Sequence, residues 1–442
     1  MTFELDKQTI SDLDIFGDGK SSLSVFNLFD YTKTEGGRNC LEKLMENPLA
    51  EISELNERKE AISFLMSDGL DLKINSSQLD FIDYYFRLSI EPLKDNIIDA
   101  LFQRISDLVK PGNDYYLIQS GIEQLRLLFL HLRDLTAKLD RKDLPSELNA
   151  IVLALRGFIE KDDFSDLYIM GNKISVISLN RLDYAFRHTH RNEADDFLKA
   201  LYLLDAFVSV GTAAREKSLV FPEYVDSPVP FIALKKLYHP LVESAVPYDF
   251  ELREMNNLCF LTGPNMAGKS TFLKSVSLAV YISHLGFPVP AAKMTTSVYE
   301  GIITTINLSD NLSKGYSHFY SEVKRVKETA LKLRERSRLF VVFDELFRGT
   351  NVKDAFDVTL LIIQSFVRIK KSTFLISTHI TEVAEKLRDF SGIEFKYFDS
   401  KLVGEIPEYE YLLKDGVSHE RLGLYIVKKE KIIEILNSIS NN

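Results

Sequence analysis

Across residues 1 to about 230, apolar positions recur mostly at helical spacing. The stretch "NCLEKLMENPLAEISELNERKEAISFLM" (39–66) predicts two helices with Pro48 marking the break between them. "IIDALFQRISDLV" (97–109) predicts a helix that ends before the turn "KPGND". "YYLIQSGIEQLRLLFLHLRDLTAKLD" (115–140) predicts a long helix with Gly121 as its weak point, and "PSELNAIVLALRGFIEKDD" (145–163) another, opened by Pro145. "NKISVIS" (172–178) reads as a brief strand-like interruption. "EADDFLKALYLLDAFVSVGTAAREKS" (193–218) resumes the helical spacing, with Gly211 as a candidate end or bend. No repeat of fixed period and no low-complexity tract occurs, so a helical bundle is expected here.

The pattern changes at "VFPEYVDSPVP" (220–230), where three prolines disfavour helix; the main boundary is placed there, giving domains 1–229 and 230–442. Beyond it, short apolar runs alternate with helical patterns, which predicts an α/β domain. "NLCFLTG" (257–263) reads as a buried strand and Lys269 to His284 as its helix. "LFVVFDE" (339–345) and "STFLIST" (372–378) are further strands. "EFKYFD" (394–399) and "EYEYLL" (408–413) alternate as outer strands do, and the tail "ERLGLYIVKKEKIIEILNSI" (420–439) returns to helix.

Candidate chemistry lies at the ends of these strands. "GPNMAGKS", Gly263 to Ser270, fits G-x-x-x-x-G-K-[ST] between a strand and a helix. Gly263 and Gly268 permit a tight turn whose amide N–H groups face a phosphate, and the helix beginning near Lys269 adds its positive end. Lys269 reaches the outer phosphates and Ser270 offers a hydroxyl to Mg²⁺. Asp344 and Glu345 follow an apolar run, where buried acids are costly unless used. Asp344 is expected to hold Mg²⁺, directly or through water, and Glu345 to orient or deprotonate an attacking water. His379 ends the third strand, either as a satisfied polar residue or as a hydrogen-bonding sensor of phosphate and water. Gly315 and Ser317 precede a helical pattern and form a candidate anion site.

Composition narrows the field. The chain has 442 residues, is 45% hydrophobic and carries a formal charge of −10, so it has no global attraction for nucleic acid or anionic membrane. Two cysteines, Cys40 and Cys259, support neither a disulfide framework nor a cysteine-rich zinc site. No signal peptide is legible, and no uninterrupted apolar run approaches the roughly 20 residues that span a bilayer. A cytoplasmic protein with no membrane partner is expected.

The ordered motifs "GPNMAGKST", "DNLSKGYSHF", "DELFRGT" and "STH" resemble the ATPase domain of the MutS family, an ABC-type branch of the P-loop ATPases. Pro264, Asn265 and Met266 match that family's form of the loop. "YHP" (238–240) resembles the opening of that domain, "HLGFPVPA" (284–291) a stretch within it, and "LFDYTKTEGGRNCLEKLMENPL" (28–49) the start of the family's core or lever domain. "YLLDAFVSVGTAAREKSLVFPEYVD" (202–226) resembles the return from lever to ATPase. The resemblance implies a helical lever/core domain followed by an ABC-type P-loop ATPase α/β domain.

It further implies that Gly263, Pro264, Asn265, Met266, Ala267, Gly268, Lys269, Ser270 and Thr271 bind ATP phosphates, with Mg²⁺ on Ser270 and Asp344. Glu345, His379, Lys269 and Asn265 become the candidate catalytic residues, and Ser317 the signature serine that meets ATP on a second subunit of a homodimer. The sequence departs from the family pattern at Ser317-His318-Phe319, Phe347, Asn351-Val352, Tyr238 and Glu420 to Gly423. The lever-like segment begins near residue 25, with no stretch for the family's mismatch-reading and connector domains. The expected function is therefore ATP-coupled DNA binding in mismatch repair or recombination-related processing. The alternative is an ATP-dependent protein-interaction module, gripping a repair-protein partner, without direct DNA reading. The basic stretches Arg181 to Arg191 and Lys324 to Arg338 are the best local candidates for DNA contact, but each reads sooner as a solvated face or an interdomain contact than as a DNA groove.

Overall fold

The computed structural model describes residues 2–17, 23–70, 72–93, 113–140, 143–169, 174–252, 255–306, 318–347, 351–403, 406–418, 431–433 and 435–436. The chain forms two compact units: one of Met1–Leu28, Asn47–Asn56 and Ser218–Asn442, the other of Phe29–Glu46 and Glu57–Lys217.

The second unit is helical. Its helices are Glu35–Glu46, the part of Ile52–Asp68 beyond Asn56, Ser76–Phe86, Asn113–Lys138, Ser146–Ile159, Val176–Tyr184 and Arg191–Lys217. Phenylalanines fill its core. Phe164 stacks on Phe186 at 4.2 Å between ring centroids and Phe158 on Phe197 at 4.7 Å, while Phe129 presents edges to Phe158 and Phe186. The strand-like reading of "NKISVIS" does not hold where it is described: Ser175 Oγ accepts the Ser178 amide N–H, which opens the helix Val176–Tyr184. Gly211 does not end its helix, which continues to Lys217. A β-carbon there would lie 3.3 Å from the Met66 amide nitrogen, so the glycine lets two helices approach closely. Among the described residues one helix, Arg191–Lys217, is long and apolar enough to cross a membrane, and 72% of its most apolar window is buried within the protein. The helix expected at 97–109 lies outside the described residues.

The first unit holds two sheets. Strands β1 (Glu4–Leu5), β2 (Glu223–Tyr224), β3 (Ile232–Leu237), β4 (Tyr248–Leu252), β5 (Leu258–Thr262) and β6 (Lys293–Thr296) are followed by β7 (Gly301–Thr305), β8 (Leu339–Phe343), β9 (Thr373–Ser377), β10 (Ile393–Val403) and β11 (Ile406–Asp415). The larger sheet runs β1-β7-β8-β9-β5-β10-β11 and the smaller β2-β6-β3-β4. In the larger sheet every neighbouring pair is parallel except β10 with β11. β5, β8 and β9 are buried at all five positions, as a parallel sheet covered on both faces requires. The helices Lys269–Ser283, His318–Glu335 and Val352–Phe366 connect these strands.

The division of the chain differs from a single cut near residue 229. Residues at the N-terminal end belong to the sheet unit, because β1 pairs with β7, Glu4 opposite Gly301. Arg325 donates to Asp6 at 2.7 Å and to the Thr304 carbonyl at 2.8 Å, and Lys332 pairs with Glu4 at 2.6 Å. Burial opposes ionisation of Asp6, but the bond and charge of Arg325, with Thr9, outweigh it and hold the carboxyl at about 2. Asp12, buried, accepts from Thr304 Oγ1 at 2.8 Å and from the Ile306 amide at 2.9 Å.

His284 ties the stretch 47–56 to the sheet. Its Nδ1–H donates to the Leu49 carbonyl at 2.7 Å and its Nε2 accepts the Tyr299 amide N–H at 3.1 Å. Complete burial pulls its pKa down to about 4, so the folded protein holds it neutral. The unfolded chain protonates this imidazole below about 6.5. Its contribution is therefore present above about 6.5 and is lost as pH falls toward 4, by on the order of 3 kcal/mol. Urea unfolding at pH 7 and pH 4.5 is expected to show a smaller pH difference in His284→Gln than in the wild type. An unchanged difference would refute the assignment.

Candidate functional site

The carboxyl ends of parallel strands are where an open α/β sheet binds ligands, and the sequence-selected residues gather there. β5 ends at Thr262 and the chain turns through Gly263 to Gly268 into the helix Lys269–Ser283. Gly263 has φ +144° and a β-carbon there would sit 2.8 Å from the Phe398 carbonyl oxygen. Gly268, at φ +103°, starts the helix under the ring of Tyr411. Only glycine meets both demands at little cost. Ala267 and Lys269 are buried, while Asn265, Met266 and Ser270 are exposed.

Lys269 Nζ donates to the carbonyls of Gly263 at 2.8 Å and Pro264 at 3.0 Å. Burial draws its ammonium below the usual lysine range, opposed by the charges of Asp344 and Glu345. Ser270 Oγ–H donates to Asp344 Oδ2 at 2.5 Å, which joins the end of β8 to the loop after β5. The second oxygen of Asp344 accepts from Ser377 Oγ–H at the end of β9. Glu345 Oε1 lies 2.5 Å from His379 Nε2. Glu345 and Phe347 hold φ of +52° and +62°, left-handed backbone that non-glycine residues adopt at a cost and that clusters at active sites.

A cavity of about 540 Å³ opens at the loop, lined by Asn265, Gly268, Lys269, Ser270, Thr271 and Glu345 together with Tyr248, Tyr411 and the stretch 242–246. His239 also faces it. Burial, reinforced by the charge of Lys274 and opposed by Asp14, lowers its pKa to about 4, so it is neutral at pH 7. Ser270, which lines the cavity, and Asp344, bonded to it from the end of β8, offer hard oxygen donors, which suits Mg²⁺ shared with phosphate oxygens and water. Among the described residues no cluster of three or more His, Cys, Asp or Glu is placed to hold a metal by protein alone, so a phosphate-borne ion fits better than a protein cage.

The structure thus brings together the loop from Gly263 to Thr271 with Asp344, Glu345 and His379. Ser317 and Gly315 lie outside the described residues. Nothing in the local pattern marks Tyr248 and Tyr411, which lie on β4 and β11 and line the cavity. Asn351, a departure from the family pattern, caps the helix Val352–Phe366 by accepting the Asp354 amide at 2.9 Å.

The basic stretches are largely engaged within the protein. Arg187 is buried against Asp183 at 2.6 Å, Arg181 pairs with Asp166 at 2.5 Å, and His190 bridges Asp163 and Glu193. In the other stretch Arg325 and Lys332 hold Asp6 and Glu4 as above, and Arg336 donates to the Thr2 carbonyl at 2.6 Å.

Residues 8–336 match the family model MutS domain III and residues 259–440 the family model MutS domain V. The DNA mismatch repair protein MutS of Persephonella marina is 28% identical over 327 residues, covering 72% of this chain and 36% of that protein. The DNA mismatch repair protein MSH3 of Coccidioides immitis is 29% identical over 248 residues, 54% of this chain and 22% of that one. The DNA mismatch repair protein MutS of Anaplasma phagocytophilum is 32% identical over 232 residues, 52% of this chain and 28% of that one. The matched stretch is a minor part of each of these relatives.

Proposed function

The chain belongs to the MutS family, and from that footing we propose that it is an ATPase that couples ATP binding and hydrolysis to DNA-associated work in mismatch repair or recombination-related processing. The unit of Met1–Leu28, Asn47–Asn56 and Ser218–Asn442 acts as the ATPase domain, pairing with a second copy, and the helices of Phe29–Glu46 and Glu57–Lys217 as the lever. The observation that carries the reading is the meeting of three features at the ends of β5, β8 and β9: the glycine-framed loop, Ser270 on Asp344, and Glu345 beside His379.

ATP would lie with its phosphates in the loop from Gly263 to Thr271, held by backbone amides and the positive end of the helix Lys269–Ser283. Lys269 exchanges its carbonyl partners for the outer phosphates, which are stronger acceptors. Asn265, exposed at the cavity, contacts the terminal phosphate and its water. Ser270 and Asp344 would hold Mg²⁺, which when bound would offset the negative charge of the phosphates. Glu345 takes a proton from the attacking water, and His379 fixes the Glu345 carboxylate and senses the phosphate. Ser317 completes the site of the second copy. Tyr248 and Tyr411 offer the cavity an aromatic wall for the base. Loss of the terminal phosphate removes the shared ligand between copies, and motion of the levers follows from that change in contacts.

DNA as the partner is supported by the relatives, which are DNA mismatch repair proteins. One observation favours the second reading, a protein-gripping module: Arg181, Arg187, Arg325 and Lys332 of the basic stretches are held in internal ion pairs, in a chain with net charge −10. Titration with mismatched, branched and plain duplexes, with and without ATP, at two salt concentrations separates them. ATP-dependent binding that weakens steeply with salt is expected. No binding to any duplex, together with ATP-dependent retention of a repair protein, would replace the DNA reading by the second.

A further inference from the structure

β9 lies between β5, which carries the phosphate loop, and β8, which carries the acids. Whatever side chain ends β9 therefore stands between the two halves of the site. That residue is Ser377, paired in register with Leu261 and fully buried. Its Oγ–H donates to Asp344 Oδ1, and the same oxygen accepts the Glu345 amide N–H at 2.9 Å. Its carbonyl accepts the Leu346 amide at 3.3 Å. A single hydroxyl thus bonds both to the carboxylate of Asp344 and to the peptide of Glu345, whose φ of +52° needs such support.

The arrangement has a direction. Asp344 is bracketed by two hydroxyls, Ser270 on the side of the loop and Ser377 on the side of the core. The core-side bond holds one oxygen of the carboxylate and leaves the other to Ser270, which itself lines the cavity. An alanine at 377 would keep the strand but remove the donor to Asp344 and the acceptor for the Glu345 amide.

We propose that Ser377 is a positioning residue of the ATP site, setting the Asp344 carboxylate for Mg²⁺ and the Glu345 peptide for attack by water. This rests on the ATPase reading above. Supporting groups behind a metal ligand are worth roughly 10–100-fold in metal affinity or activity, and a loss of about that size is expected here.

The test uses the full chain and a fluorescent ATP analogue, with affinity measured in Mg²⁺ and in EDTA, beside steady-state turnover and thermal melting. In Ser377→Ala the affinity in EDTA stays within about twofold, and the gain on adding Mg²⁺ falls about tenfold. Turnover falls in kcat more than in KM. Ser377→Thr and Ser377→Val are nearly isosteric and differ chiefly in the hydroxyl, so a Mg²⁺-linked gain retained in the first and lost in the second supports the role even if alanine perturbs folding. An Mg²⁺-linked gain and kcat equal to wild type in Ser377→Ala, or equal in the threonine and valine variants, overturns it. If the wild type itself takes up no ATP analogue, the ATPase reading fails, and the role of Ser377 with it.

Discussion

Replacing Glu345 by glutamine is expected to lower ATP turnover roughly 10²- to 10⁴-fold, with affinity for ATP kept within a few-fold. Glutamine has the size of glutamate and its amide oxygen can still meet His379, whose Nε2 lies 2.5 Å from Glu345 Oε1. The backbone bond from the Glu345 amide to Ser377 is untouched by the change. What is lost is the basic oxygen that accepts a proton from water. Phosphate release and equilibrium binding of labelled ATP, measured on the same preparation, separate the two effects. Turnover equal to wild type would remove Glu345 from the chemistry. Equal loss of binding would mean that it holds the nucleotide rather than the water.

The second large effect is expected at Lys269. Lys269→Met keeps an unbranched side chain of similar length in the buried stem but takes away the ammonium. Truncating one member of a buried, hydrogen-bonded charge pair costs about 2–5 kcal/mol, so ATP affinity is expected to fall by at least about 30-fold. The starting geometry supports a large effect, because Lys269 is buried, faces the charges of Asp344 and Glu345, and is already turned toward the loop by the Gly263 and Pro264 carbonyls. Isothermal titration of both proteins at pH 7.5 reads the difference. Affinity within a factor of three of wild type would mean that the phosphates sit elsewhere.

How much of this was legible beforehand depended on whether a residue's role was local. β5, β8 and β9 announce themselves because burial on both faces leaves an unbroken apolar run. Pro48 separates Glu35–Glu46 from Ile52–Asp68 by a rule that acts within a few residues. "NKISVIS" is misread because its alternation is the same in a strand and in the first turn of a helix, and the Ser175 cap decides. β1 is two residues long, too short for any periodicity, and becomes a strand only by pairing with β7. Gly121 and Gly211 read as weak points but serve contact: a β-carbon at the first would meet the Tyr85 ring at 2.4 Å, and the second lies against Met66.

The site follows the same division. The loop, Asp344 and Glu345 are legible as candidates because spacing and strand ends mark them. Arg325 reads as one charge of a basic surface, yet it is buried, joining Asp6 to Thr304 and Thr305. Tyr248, Tyr411 and the dual contact of Ser377 depend on which strands neighbour one another, and strand order is not written in local pattern.

Titration of the purified chain with ATP and Mg²⁺ tests the central claim most directly. Saturable binding at one site per chain is expected, weakened when Mg²⁺ is withdrawn and when Asp344 is replaced by asparagine. The absence of saturable binding, or binding indifferent both to Mg²⁺ and to Asp344, would contradict it.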